Sequence, residues 1–251
     1  MPSLQAVFWD VDGTLAETEL QGHRLAYNRA FKEFGLDWIW DEDLYIDLLT
    51  IPGGRQRMQN YSERLGQCLD AAALDQLRVI KQRHYLDVVA SGAVQLRPGV
   101  PDLLAELSAS GVQQWIVTSS GKASVEALLR SLSTDMRDAF QGMVTADDVE
   151  RHKPNPDPYL RALEWSEVPS DRALAVEDSA SGLQSASSAR LRCLLTPSAW
   201  DQDWPFFTER AQSVVDHLGG EQAPTVHHGP TCAEGMITLE YLQSLLSLPL
   251  R

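Results

Sequence analysis

The chain has 251 residues, 43% of them hydrophobic, enough for a full α/β core with a modest second lobe. Its 21 basic and 35 acidic residues leave a net charge of −14, the opposite of a nucleic-acid-binding footprint, and no apolar run has the length to span a bilayer. Three widely spaced cysteines, Cys68, Cys193 and Cys232, offer neither a disulfide framework nor a metal spacing, so reduced thiols in a cytosolic-type compartment are expected. The first strand starts almost at the N-terminus and leaves no room for a signal or transit peptide, so a cytoplasmic protein is expected; a plastid location would require a transit peptide already removed.

Ala6 to Trp9 predicts a buried strand that ends abruptly in Asp10 and Asp12, with Gly13 and Thr14 behind them. Two carboxylates crowded at a strand end are costly unless a cation or a reaction uses them. A calcium loop is excluded, because Leu15 and Ala16 cannot coordinate and Gln21 stands where the loop's closing Glu belongs. Residues 17–90 then read as helical. Leu25, Ala26, Ala30, Phe31 and Phe34 recur at helical spacing up to Gly35, a stop, and Asp41 can cap a second helix carrying Leu44, Leu48 and Leu49. Pro52-Gly53-Gly54 breaks it; further helices are predicted over Arg55–Leu65 and Ala71–Val89.

At Leu96 the character changes. A turn through Arg97-Pro98-Gly99 opens a helix to Ala109, and Gly111 ends it. Strands are predicted over Val112–Thr118, near Met143-Val144, over Ala173–Val176 and over Leu191–Leu195, alternating with helices over Val125–Leu132, from Pro154 to Ala162, and over Ser179–Ala189. Gly219–Gly235, with His227 and His228, reads as a polar loop before a packing helix over Ile237–Leu248. The alternation predicts an α/β fold, a Rossmann-like, mostly parallel sheet covered by helices. Residues 1–16 and 95–251 form that core, and 17–94 are an inserted helical domain. Residues 18–90 hold nine basic and eleven acidic residues, a net of −2, so most of the negative charge lies elsewhere and the insert can face an anionic substrate.

Open α/β sheets bind ligands beyond the carboxyl ends of their strands. Those ends offer Asp10 and Asp12; Thr118, Ser119 and Ser120; Asp147, Asp148 and Lys153; and Glu177 and Asp178. Each has a bland reading as a strand end, a solvated loop or a helix-terminal charge pair. Together they make a set for phosphoryl transfer. A carboxylate attacks phosphorus to give an acyl phosphate, and a lysine and a hard cation offset the repulsion between the two anions. Hydroxyls and amides hold the phosphate oxygens, and a second carboxyl group moves the proton.

The four stretches Asp10-Val11-Asp12-Gly13-Thr14, Val117-Thr118-Ser119, Lys153-Pro154 and Glu177-Asp178-Ser179-Ala180-Ser181-Gly182 resemble the motifs of haloacid dehalogenase superfamily phosphatases. The resemblance implies that Asp10 is nucleophile and Mg²⁺ ligand, and that Asp12 is the acid/base with its backbone carbonyl on the metal. Thr118, Ser119 and Lys153 would hold the transferred phosphate, and Glu177 and Asp178 would complete the Mg²⁺ site. A dehalogenase has no need of the second aspartate. The position of the insert resembles the helical cap of the β-phosphoglucomutase and phosphoglycolate phosphatase group. The runs Phe8 to Glu19, His23-Arg24, Gly35-Leu36-Asp37-Trp38 and Gly53-Gly54-Arg55-Gln56-Arg57 are similar to its CbbY-type members. These include xylulose-1,5-bisphosphate phosphatases, which remove a Rubisco inhibitor in carbon-fixing cells.

For a bisphosphate, Arg55 and Arg57 are the candidates for the distal phosphate, against a reading as a solvated helix start. Glu17 and His23 could meet sugar hydroxyls, and Trp38 and Trp40 belong to the cap core. The resemblance implies a cap that closes with hinges near Ala16–Glu19 and Val94–Pro98. The expected protein is a monomer that acts on a small phosphorylated sugar, with neither nucleic acid nor membrane as partner. A phosphomutase, a phosphoglycolate phosphatase and a non-catalytic sugar-phosphate-binding protein are the alternatives.

Overall fold

A computed structural model describes residues 3–51, 53–198 and 203–251. They divide into two compact units, Met1–Glu17 with Gln95–Arg251, and Thr18–Val94. The first unit is built on a sheet. Among the described residues its strands are β1 (Ala6–Trp9), β2 (Gln113–Val117), β3 (Gly142–Val144), β4 (Ala173–Glu177), β5 (Arg192–Leu195), β6 (Ser213–Val215) and β7 (Val226–His228), in the spatial order β3-β2-β1-β4-β5-β6-β7. All neighbours are parallel except β6 and β7. The α/β alternation predicts this sheet, but β6 and β7 depart from the sequence reading. His227 and His228 lie on an antiparallel edge strand and not in a loop. Each of these strands has only three residues, too few to show a period of two.

The second unit opens with one π-helical turn (Glu19–His23) that runs into α1 (Arg24–Phe34), followed by α2 (Glu42–Leu49), α3 (Gly54–Arg64) and α4 (Ala71–Ala90). Gly35 takes a left-handed φ of 86° and lets Leu36 N–H close back on Phe31 O at 2.9 Å, which terminates α1. Asp41 caps α2 through Leu44 N–H (2.9 Å), and Asp70 caps α4 through Ala73 N–H (2.8 Å). Pro52, expected to break α2, lies outside the described residues. The apolar faces meet in a core of Tyr27, Phe31, Trp38, Trp40, Tyr45, Leu48, Met58, Leu74 and Leu77. Asn28 pairs with both the N–H and the carbonyl of Trp40 at 2.8 Å, so the backbone that carries this indole is satisfied while the ring is buried.

In the first unit α5 (Val100–Ala109), α6 (Lys122–Ser131), α7 (Thr134–Asp138), α8 (Asp157–Ser166), α9 (Ala180–Ser188), α10 (Trp204–Arg210) and α11 (Leu239–Leu246) complete the chain. α7 and α10 are short and are not predicted, and α8 starts at Asp157 rather than Pro154. Alternation along the buried strands sends Phe8, Ala175, Cys193 and Val214 to the face covered by α8, α9 and α10, with Tyr159, Leu183 and Phe207 opposite them. α5 and α11 cover the other face through Leu103, Leu104, Leu107, Leu242 and Leu245. There the Trp9 indole donates to Gln114 Oε1 (3.3 Å), while Gln114 Nε2 donates to Leu104 O (3.0 Å) and Ser108 Oγ (2.9 Å). β1 sits inside the sheet between β2 and β4, and the order reverses there. Ligand crevices open at such a point.

Candidate active site

Leaving β1, Asp10 still belongs to the sheet, since its N–H donates to Val176 O at 3.0 Å. The chain then turns sharply. Gly13, at φ 86°, has its N–H on Ala16 O (2.9 Å). A Cβ there would stand 2.2 Å from Asp178 Oδ2, so only glycine lets the nucleophile loop approach the end of β4.

Lys153 joins the strand ends. Its ammonium donates to Asp10 Oδ1 (2.7 Å), Val117 O (2.7 Å) and Glu177 Oε1 (2.6 Å), using all three N–H bonds. Glu177 Oε1 also accepts a short hydrogen bond from the buried Tyr159 hydroxyl, and Lys153 Nζ lies 5.2 Å from the Tyr159 ring centroid. Glu177 Oε2 is buried without a hydrogen-bond partner, and a Cβ on Gly182 would lie 1.8 Å from it. Asp178 Oδ2 accepts a short bond from Ser198 Oγ. Oxygens of Asp10, Glu177 and Asp178 lie within 4.8 Å of one another.

The electrostatics follow from this crowding. Burial raises the Asp10 carboxyl to about 7; Lys153 pulls it down, while Glu177 and Asp12 push it further up. Burial, then Asp10, holds the Asp178 carboxyl well above its usual range, against the Ser198 bond. Burial alone would lower Lys153, but Asp10 and Glu177 outweigh it and raise the lysine. Three buried carboxylates served by one ammonium, with one carboxylate oxygen orphaned, are suited to a hard divalent cation with oxygen ligands.

Asp12 is half-buried, and its Oδ2 accepts from Ser120 Oγ at 2.5 Å. Thr118 is buried and ends β2, with its N–H on Val144 O (3.0 Å) and its Oγ1 accepting from Ser120 N (3.1 Å), while Ser119 is exposed. The structure thus gathers Asp10, Asp12, Thr118, Ser119, Lys153, Glu177 and Asp178 at the carboxyl ends of β1, β2 and β4. Tyr159, Ser198 and the specific role of Ser120 are not drawn from the sequence. The rule that exposed the other residues, polar groups just past a strand end, would have found Ser198, three residues beyond β5. Tyr159 acts from inside a helix and carries no such signal.

The other candidates are placed as follows. Glu17 is half-buried in the first unit, its N–H on Gln95 O (3.0 Å). In the helical unit His23 is half-buried. Its ring stacks on Tyr85 (centroids 4.2 Å apart) and its Nδ1 is 2.8 Å from Lys81 Nζ. Lys81 Nζ lies 5.0 Å from the ring centroids of both Tyr27 and Tyr85. Arg55 is exposed and paired with Asp75 at 3.1 Å. Arg57 corrects the reading as a solvated helix start: it is buried, with Nε on Leu48 O (2.9 Å), Nη1 on the Tyr45 hydroxyl (3.3 Å) and Nη2 on Ile51 O (3.4 Å). Trp38 and Trp40 are buried in the helical core.

Residues 7–196 match the family model of the haloacid dehalogenase-like hydrolases. The chain is 43% identical over 225 residues to protein CbbY of Rhodobacter capsulatus, covering 86% of this chain and 99% of that one. It is 37% identical over 247 residues to the plasmid CbbY of Cupriavidus necator, with 96% of each covered. The crystal structure of a CbbY mutant from Rhodobacter sphaeroides in complex with xylulose-(1,5)bisphosphate superposes with a TM-score of 0.75 at 35% identity, over 87% of this chain and 97% of that one. With its strand-end carboxylates and lysine, this chain belongs to the haloacid dehalogenase-like hydrolase family, as one of its CbbY-type phosphatases.

Proposed function

We propose that the protein is a Mg²⁺-dependent phosphatase that hydrolyses xylulose 1,5-bisphosphate through an aspartyl phosphate on Asp10, and so removes an inhibitory sugar bisphosphate. The observation that carries the chemistry is the Lys153 tripod: it engages Asp10 Oδ1 and leaves Oδ2 as the attacking oxygen. Asp10 Oδ2 bonds to phosphorus as the bond to the sugar oxygen breaks, and Asp12 gives that oxygen its proton. Asp12 then takes a proton from water, the water oxygen bonds to phosphorus, and the carboxylate of Asp10 is released with inorganic phosphate. Asp10, Glu177 and Asp178, with the Asp12 carbonyl, would hold Mg²⁺, which when bound supplies positive charge against the repulsion between carboxylate and phosphate.

The likeness to a CbbY that binds xylulose-(1,5)bisphosphate supports the choice of substrate. In this reading Thr118 and Ser119 hold the transferred phosphate, Arg55 and Arg57 serve the distal one, and Glu17 and His23 serve the sugar hydroxyls. The test is phosphate release, with and without Mg²⁺, from xylulose 1,5-bisphosphate, ribulose 1,5-bisphosphate, phosphoglycolate and β-glucose 1-phosphate. The expected result is one equivalent of free phosphate, fastest from xylulose 1,5-bisphosphate and only with Mg²⁺. Preferred turnover of phosphoglycolate would overturn the substrate, and an isomerised sugar phosphate in place of free phosphate would overturn the hydrolase.

A further inference from the structure

Arg97 takes part in no step above, yet its side chain reaches the loops that carry them. The chain re-enters the first unit beside the nucleophile loop: Leu96 bridges Ala16, and Arg97 N–H donates to Leu15 O at 2.9 Å. The guanidinium then meets three backbone carbonyls from three different strand-end loops. Nη1 donates to Gly13 O, by a short bond, and to Thr196 O at 2.7 Å, and Nη2 donates to Asp216 O at 2.9 Å. These residues follow β1, β5 and β6. The charges of Asp178 and Glu17 act on the same guanidinium.

The first of these loops carries Asp10, and the second braces Glu177 and Asp178 at the end of β4. Gly13 lies three residues past Asp10 and is packed so closely on Asp178 Oδ2 and Ser198 Oγ that no Cβ fits. Thr196 N–H donates to Glu177 O at 2.7 Å, and two residues later Ser198 holds Asp178. A planar guanidinium reaches three carbonyls from two nitrogens held in one plane, whereas a lysine would have to draw all three around a single nitrogen. We propose that Arg97 is a positioning residue for the carboxylate cluster. By holding Gly13, Thr196 and Asp216 on one guanidinium it sets the spacing between Asp10 and Asp178, and with it the affinity for Mg²⁺. The inference rests on the Mg²⁺ reading above.

The test is calorimetric titration of the full chain with Mg²⁺ alone, with no substrate. Wild type must bind and Asp178→Asn must lose binding; if wild type does not bind, the Mg²⁺ reading falls, and this inference with it, before any Arg97 variant is compared. Arg97→Lys and Arg97→Gln are expected to bind Mg²⁺ at least about tenfold more weakly, the range seen when groups that orient metal ligands are removed. Arg192→Lys, which disturbs a structural bond to Leu248 O (2.8 Å) in the same unit, is expected to keep the wild-type constant. Wild-type affinity in folded Arg97 variants, or an equal loss in Arg192→Lys, overturns the proposal. Should both Arg97 variants fail to fold, the Arg97 side-chain nitrogen resonances of the wild type decide: they must shift with the calorimetric midpoint, and stationary signals refute the role.

Discussion

Lys153 has three N–H donors, and Asp10, Val117 and Glu177 take all of them. What it brings to a phosphate is therefore charge and a fixed nucleophile rather than a spare hydrogen bond. Lys153→Met leaves buried carboxylates without their cation, and the metal-free protein should lose about 3–5 kcal/mol at neutral pH, read by urea unfolding. An unchanged midpoint would mean that the ammonium does not balance the cluster. The Ser120 hydroxyl touches the reaction through Asp12 Oδ2. Ser120→Ala should lower kcat about tenfold with KM nearly unchanged, a fraction of what general acid–base catalysis contributes. A change confined to KM would place Ser120 on the substrate instead. Arg55 and Arg57 separate by burial. Arg55→Ala should depress bisphosphate turnover more than monophosphate turnover at unchanged stability. Arg57→Ala also removes a buried brace of the helical unit, so it should lower the unfolding midpoint as well.

At the scale of elements, the close approach of α9 to β4 depends on Gly182. Gly182→Ala forces a Cβ into Glu177 and should cost about 1–3 kcal/mol and weaken metal binding, measured by thermal unfolding with and without Mg²⁺. A neutral result would show that Glu177 has room to turn away. The elements legible in the sequence are those with a long period or an explicit stop. Phe31, Phe34 and Gly35 mark the end of α1, Asp41 marks the start of α2, and the apolar run from Ala6 meets Asp10 at the end of β1. β6 and β7 are illegible because tertiary pairing makes them. Val214 and Val215 pair with His228 and Val226, and Ser213 Oγ donates to His228 O at 3.1 Å, none of which leaves a local pattern. The strand-end rule exposes Asp10, Asp12, Lys153, Glu177 and Asp178 because each follows a readable element. Tyr159, buried in the first turn of α8, and Arg97, about a hundred residues from each of the loops it joins, act over distances in sequence that no local pattern records.

For the whole molecule the cluster ties stability to pH and metal. With Asp10 raised from 3.8 to about 7, the folded metal-free chain binds a proton more tightly than the unfolded chain does. Its contribution is fully present below about pH 4 and is lost as pH rises through about 7, and Asp178, also raised, acts in the same direction. Mg²⁺ binds the ionised form, so the rise in Tm on adding Mg²⁺ should grow between about pH 5 and pH 8. A Mg²⁺ effect independent of pH would contradict this linkage. The net charge of −14 works against binding an anionic substrate, which makes the fixed cations of the site more important.

The central claim is that Asp10 becomes covalently phosphorylated, and mass spectrometry of acid-quenched turnover tests it most directly. Wild type mixed with xylulose 1,5-bisphosphate and Mg²⁺ should show one phosphoryl group on the peptide carrying Asp10 that disappears as substrate is exhausted. Asp10→Asn should show none, with turnover reduced by at least about three orders of magnitude and substrate still bound. Undiminished turnover by Asp10→Asn, or a phosphoryl group on another residue, would contradict the account.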